Sequence, residues 1–254
     1  MLKLFGLFGE ILLLSLVIIS LVYVFEYVLQ RILDKKRLSI RDEIRELIGQ
    51  LQNEQLPGYE RAYAVARLGN ETLNAYERQI ITRILKDILL NNVSPEAVKA
   101  SAIGVLGEIN IKKSQRILGL IASNKSKEKY ARTSSIYVLS CYQMGLKAIH
   151  NIAKDTSEQE EILGLAIMVI MRYRNKIDQN INFLKSKIVD NTHMSETVRT
   201  TAQEAIKILS DKDCTPNETD KKIDEYFTKY VSDNQNMKDI IKWIINPSEI
   251  PLHS

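Results

Sequence analysis

The 254-residue chain has only two cysteines, three histidines, five prolines and one tryptophan. Cys141 and Cys214 lie far apart, without a CxxC pair or a neighbouring histidine, which argues against a disulfide framework and a zinc site. A net charge of +4 is far from that of a dedicated nucleic-acid-binding protein. The motifs GxxxxGK, GxGxxG, HExxH and GxSxG do not occur. The sequence therefore predicts no catalytic residue, no cofactor and no metal ligand.

The amino-terminal region contains a long apolar segment. Residues 4–25 carry a single charge, that of Glu10, and residues 11–25 are uncharged and mostly aliphatic. With the residues up to 29, the segment is long enough to cross a hydrocarbon core of ~30 Å at ~1.5 Å per residue. A signal peptide and a buried soluble helix are the alternatives, but no small-x-small cleavage site follows the apolar run. We predict that residues 4–29 form one transmembrane helix in the lipid bilayer.

The charges on either side of this segment differ. Lys3 and the terminal amine precede it, whereas six basic residues follow it: Arg31, Lys35, Lys36, Arg37, Arg41 and Arg45. Because basic residues beside a membrane-spanning helix are retained in the cytoplasm, we expect a single-pass cell-membrane protein whose remaining chain is cytoplasmic.

The rest of the chain contains an internal repeat. Apolar residues recur every three or four positions, which is typical of helices. Five ten-residue segments align, at 60–69, 98–107, 131–140, 162–171 and 198–207. Position five is small (Ala64, Ala102, Ser135, Ala166, Ala202), position nine is large and aliphatic (Leu68, Leu106, Leu139, Ile170, Ile206), and position two is mostly basic (Arg61, Lys99, Arg132, Arg199). Spacings of 38, 33, 31 and 36 residues are typical of a helix-pair repeat.

A second apolar-periodic stretch follows each segment, at 73–90, 114–122, 146–153, 177–189 and 221–231. Here the chain resembles the HEAT repeat family, in its short bacterial form whose first helix reads V-R-x-x-A-A-x-A-L-G, and VKASAIGVLG at 98–107 matches it almost position for position. The resemblance implies an all-α fold, namely a right-handed solenoid of helix pairs preceded by one transmembrane helix.

The resemblance has three departures. Leu163 replaces the basic residue in the fourth copy, and the fifth copy can also be aligned three residues later, at 201–210. The family's acidic residue before each first helix is mostly missing, which argues against a polar ladder between repeats. Without that ladder, Lys99 is expected to be exposed.

The predicted organisation has four parts. They are a membrane anchor with its flank (1–33), a basic segment with a capping helix (34–57), about five HEAT-like repeats (58–231), and a carboxyl-terminal capping helix with a tail (232–254). The last part contains Trp243, within an amphipathic stretch at 237–245.

Basic and tyrosine residues near the helix junctions are the candidate partner-binding residues: Lys112, Lys113, Arg116, Arg172, Arg174, Lys176, Tyr137 and Tyr173. Stacked repeats place equivalent junctions along one edge, so the two basic clusters are expected to form a basic rim for an acidic partner or lipid headgroups. The alternatives are solvated cations near helix carboxyl termini and tyrosines that line the core.

The sequence predicts a non-catalytic, membrane-anchored scaffold that binds another protein, such as a membrane-embedded complex. No nucleic acid and no small-molecule substrate are expected. A HEAT-like enzyme, similar to alkylpurine DNA glycosylases or bilin lyases, and a nucleic-acid tether are the alternatives. The repeats lack the dense basic surface and the tryptophan expected around an extruded base.

Overall fold

The computed structural model describes residues 23–27, 40–91, 93–211 and 213–233. Every regular element in these ranges is a helix, which confirms the all-α prediction. Of the predicted anchor, only residues 23–27 are described, as one exposed helical turn, and the predicted cap at 237–245 lies outside the described residues. Within the described ranges, no helix is long and apolar enough to cross a membrane.

The described α-helices beyond residue 40 are α1 (Asp42–Gln52), α2 (Gly58–Asn70), α3 (Ala75–Leu90), α4 (Glu96–Ser123), α5 (Lys129–Cys141), α6 (Leu146–Ala153), α7 (Glu160–Ile170), α8 (Ile177–Leu184), α9 (Glu196–Leu209) and α10 (Pro216–Ser232). A 3₁₀ turn (Arg174–Lys176) precedes α8, and a π-helical turn (Lys185–Val189) extends it. The five aligned segments lie in α2, α4, α5, α7 and α9. Helix α4 contains both helices of one pair, separated by a kink at Asn110 (φ −163°, ψ 54°).

The aligned positions form the core, as the repeat predicts. All five small side chains at position five are fully buried, and so are Leu68, Leu106, Leu139 and Ile170 at position nine, whereas Ile206 is partly exposed. Each first helix packs on the next, in the order α2, α4, α5, α7 and α9, and α1 packs on α2. A small residue lets the neighbouring helix approach, and the large residue one turn later fills the space beside it. We refer to helices α2–α9 as the array.

The same turn precedes every first helix and also α10, and it was not predicted from the sequence. The Oδ1 atom of an Asn or Asp accepts a hydrogen bond from the backbone N–H two residues later, at Asn53, Asn91, Asn124, Asp155, Asn191 and Asp211. This Asx turn satisfies backbone groups where one helix ends and the next begins. In the five aligned copies it lies seven residues before position one. The fifth copy therefore follows the alignment that begins at Val198.

Helix α10 has a different position from the one predicted for residues 221–231 as a second helix of the fifth pair. The Tyr226 hydroxyl hydrogen-bonds to α9, the Phe227 ring stacks on α5, and the Tyr230 hydroxyl donates to a carbonyl of α7. Gly164 on α7 makes this possible, because a Cβ atom there would lie 2.1 Å from the Tyr230 hydroxyl. Helix α10 thus lies across three first helices.

Candidate binding surfaces

Three of the four basic residues at position two belong to the interior of the array, whereas Arg199 is partly exposed. Arg61, Lys99 and Arg132 are each less than one tenth exposed, so the prediction that Lys99 is exposed was wrong. The Arg132 Nε atom donates to the carbonyl of Ala122 at 3.0 Å, and its guanidinium pairs with Glu158. These contacts join the end of one pair to the start of the next pair.

Two acidic residues complete a polar ladder between repeats, although the sequence pattern had argued against one. Lys99 Nζ lies 2.6 Å from Glu128, and Glu128 and Glu158 both stand just before a first helix. Burial raises the pKa of each carboxyl, but hydrogen bonds from Lys99 or Arg132 and from the backbone, together with the nearby positive charges, outweigh it, so both pKa values lie below the ordinary value. The signal was readable, since each Glu follows the Asx turn by three or four residues. If the acidic residue is allowed at either of these two positions after the turn, the polar ladder can be recognised in the sequence.

The predicted residues after α7 contact the chain's own α10. Arg172 lies 3.3 Å from Asp224, with its guanidinium carbon 4.9 Å from the centre of the Phe227 ring. Arg174 lies 3.0 Å from Asp220. Lys176 is exposed. Two of the three predicted cations thus face α10 instead of open solvent.

The two predicted tyrosines also have intramolecular roles. The Tyr173 ring is buried, its hydroxyl donates to the carbonyl of Met144, and burial raises its pKa. Tyr137 is half-buried and stacks on Phe227 with ring centres 5.9 Å apart. Burial, together with nearby Cys141, raises the pKa of Tyr137 to about 12. Neither hydroxyl is a titrating group near neutral pH.

The second basic cluster has different surroundings. Lys112, Lys113 and Arg116 are exposed on the second half of α4, and Lys113 borders a groove of about 920 Å³ between that half and α3. The groove is lined by Ala75, Arg78, Gln79, Thr82, Arg83, Lys86, Asp87, Leu90, Ile109, Asn110, Lys113 and Ile117. Four cations therefore surround one carboxylate, with aliphatic side chains between them.

Helix α3 supplies most of this groove, because its lining residues recur at three- to five-residue spacing along one face. Lys86 Nζ donates to the carbonyl of Lys113 at 3.1 Å, which ties α3 to α4 across the groove. Leu90 is 60% exposed at one end. Arg78, Arg83 and Lys86 were not predicted from the sequence, because they lie along a second helix and the predicted basic residues lie at helix junctions.

His150, Cys141 and Cys214 carry side chains of types that act as catalytic groups or metal ligands. His150 stacks on Phe183 with ring centres 3.9 Å apart, and burial lowers its pKa. Cys141 and Cys214 are both free thiols. The described part of the chain contains no group of three or more His, Cys, Asp or Glu side chains that could hold a metal ion.

Comparisons of this chain with models of protein families, with characterised proteins and with solved structures gave no match.

Proposed function

We propose that this chain is a non-catalytic, membrane-anchored scaffold whose array binds an acidic segment of a partner protein. The groove between α3 and α4 is the observation that carries the proposal. Four cations against one carboxylate give it a positive potential, which favours an acidic ligand and increases its rate of association. Exposed Leu90 and the half-buried Ile117 offer apolar contacts between the charges. An open groove between two helices suits a peptide segment better than an enclosed substrate.

The packing of the array supports a HEAT-like architecture as part of this proposal. Successive first helices are neighbours, and the same Asx turn and basic residue recur from pair to pair. We propose that α2–α9 form a right-handed solenoid of this kind, in which each repeat contacts mainly its neighbours and exposes a long surface.

The amino-terminal sequence supports the membrane part of the proposal. The apolar run at 4–25 and the six basic residues after it favour a single-pass anchor with the array in the cytoplasm. We therefore propose a membrane-embedded complex as the partner. Release of the full chain by carbonate washing, or protease digestion of the array from outside intact cells, would contradict this part.

A paired set of variants tests the groove. Full-length tagged chain is cross-linked in membranes, solubilised and captured, with Arg83→Glu/Lys86→Glu as the groove variant. Lys147→Glu/Lys207→Glu is the control, because it makes the same change of charge at exposed residues outside the groove. We expect partner recovery to fall about tenfold for the groove variant and to stay within about twofold for the control. Recovery should also fall as salt rises.

A defined ligand gives an independent measurement. A fluorescent, helix-forming peptide of about 15 residues with Glu and Leu on separate faces should bind the wild type more tightly than the groove variant. Equal binding by the groove variant and the control, in both experiments, would refute the groove as the site.

A further inference from the structure

Helix α10 contacts the array through one regular stripe of side chains. Asp220, Asp224, Phe227 and Tyr230 recur at spacings of four, three and three, so they lie on one face of the helix. We call the surface that they contact the α10-binding face, and it is formed by Tyr137, Glu161, Gly164, Arg172 and Arg174. The two surfaces are complementary. The two aspartates pair with the two arginines, the Phe227 ring stacks on Tyr137, and the Tyr230 hydroxyl occupies the space above Gly164.

The α10-binding face holds its helix loosely. Asp220 and Asp224 remain 55% and 65% exposed in their ion pairs, and exposed pairs contribute at most about 1 kcal/mol each. Only three residues of α10 are buried, namely Thr219, Ile223 and Phe227. The Nη1 atoms of both arginines are buried without a hydrogen-bond partner among the described residues.

Chain connectivity favours the chain's own array, because a short linker holds α10 at an effective concentration of about millimolar, and exchange therefore requires a comparable local concentration of chains. Residues 210–215 join α9 to α10, and six extended residues reach ~20 Å. The contacts of α10 join residues 42 to 90 positions apart, except those with neighbouring α9. A second chain therefore offers the same contacts, and exchange changes only the entropy of association and the path of the linker.

We propose that the α10-binding face accepts α10 of a second copy of this chain, so that two copies exchange their carboxyl-terminal helices. The proposed occupant is α10 of a second copy, because the acidic residues and the phenylalanine ring of α10 complement the arginines and the tyrosine of this face. The inference is independent of the groove. Confinement to a membrane would favour exchange by raising the local concentration of chains.

Complementary charge reversals test the exchange with full-length chains solubilised from membranes. One chain carries Asp220→Arg/Asp224→Arg, so its α10 is repelled by every wild-type face. The other carries Arg172→Asp/Arg174→Asp, so its face repels every wild-type α10. Each chain is expressed in two differently tagged copies, and co-capture is measured for each variant alone and for the two variants together.

We expect wild-type copies to co-purify, each variant alone to lose about tenfold of that recovery, and the mixture of the two variants to regain it. The mixture regains it because only exchange pairs each α10 with an opposite charge. A chain with all four substitutions should melt like the wild type, which checks that the reversals do not prevent folding. Glu225→Arg/Asp233→Arg is the control, at an exposed position of α10 and at the exposed residue that follows it, and should co-purify like the wild type.

Two results would overturn the inference. One is a wild type that does not co-purify with itself. The other is co-capture that persists in either variant alone, since the copies would then associate through another surface. Loss of partner binding at the groove affects neither result.

Discussion

The array and α10 use the same kind of ion pair in opposite surroundings. Arg132 and Glu158 are each 3% exposed, whereas Arg172 pairs with an Asp224 that is 65% exposed. A buried pair is costly to break, because removing one partner leaves a charge without solvent, while an exposed pair separates at little cost. The comparison teaches that burial, and not the presence of an ion pair, decides how strongly such a pair holds two parts of this fold together.

Breaking the buried pair should have the largest effect. Replacing Arg132 with Met leaves the Glu158 carboxylate buried and unpaired, and we expect unfolding free energy to fall by about 3–5 kcal/mol in chemical denaturation. The double variant Arg132→Met/Glu158→Leu should recover most of this loss. A single variant as stable as the double variant would show that the pair is not buried in solution.

The pH dependence of that variant has a defined sign. In the wild type the pKa of Glu158 lies below its ordinary value, so the pair stabilises the fold above that value and the stabilisation is lost as pH falls. In Arg132→Met burial still raises the pKa of Glu158, and only the backbone hydrogen bond from Gln159 and the charge of Lys125 still lower it, so this pKa lies above its wild-type value. The difference in unfolding free energy between the two proteins should therefore shrink on acidification from pH 7 to pH 4. A difference that grows would contradict this assignment.

Overpacking the array should have the next largest effect. Ala102 is fully buried where α4 meets its neighbours, so Ala102→Leu is expected to cost about 1–3 kcal/mol. Lys112→Leu is the matched control, because it introduces the same side chain at an exposed position of the same helix and should change stability by less than about 0.5 kcal/mol. Equal melting temperatures for the two variants would contradict the alignment of the repeats.

The sequence predicted the array well because its information is local and repeated. The small residue at position five and the large one at position nine, such as Ala102 and Leu106, both came out fully buried. The position of α10 was not predictable in this way, since its contacts join residues far apart, as between Tyr230 and Gly164. Amphipathic periodicity shows that a helix has an apolar face, but it does not show which surface covers that face.

The candidate site was predicted only in part, for a related reason. Junction cations were expected to be free, but Arg172 and Arg174 contact acidic residues of a helix whose position was unknown. Lys113 does line the groove, together with Arg83 and Lys86 from a different helix pair. Such a cluster requires the packing of α3 on α4, and the kink at Asn110 sets that packing.

A change at Gly164 should affect the two regions in opposite directions. Alanine stabilises a helix interior by about 1 kcal/mol relative to glycine, but its Cβ atom occupies the space of the Tyr230 hydroxyl. We expect Gly164→Ala to stabilise the array by up to about 1 kcal/mol and to release α10, so that amide hydrogens of residues 216–232 exchange faster. Adding Tyr230→Ala should reopen the space and restore part of their protection. Unchanged exchange in the single variant would show that α10 does not lie against α7.

The smallest effect concerns the Asx turn at Asp155, where two contributions can be separated. Asp155 accepts a hydrogen bond from the Ser157 N–H and pairs with Lys125 at 2.7 Å. Asn keeps the hydrogen bond and loses the ion pair, so Asp155→Asn should lower the unfolding free energy by less than about 1 kcal/mol. Ala loses both contacts, so Asp155→Ala should lower it by about 1 kcal/mol more. Denaturation of both variants at pH 7 measures the two contributions, and the Asn found at four equivalent turns makes Asp155→Asn compatible with the fold.

Acidification should remove the Lys125 contribution alone. Hydrogen bonds from Lys125 and Ser157 lower the pKa of Asp155 from its ordinary value of 3.8 to about 2. A lowered pKa means that the carboxylate stabilises the fold fully above the unfolded value and loses this effect as pH falls towards 2. The advantage of wild type over Asp155→Asn should therefore disappear between pH 4 and pH 2, while the gap between Asp155→Asn and Asp155→Ala persists, because an amide does not titrate. If the first advantage survived at pH 2, the ion pair would not be its source, and the turn geometry alone would set the stability of this junction.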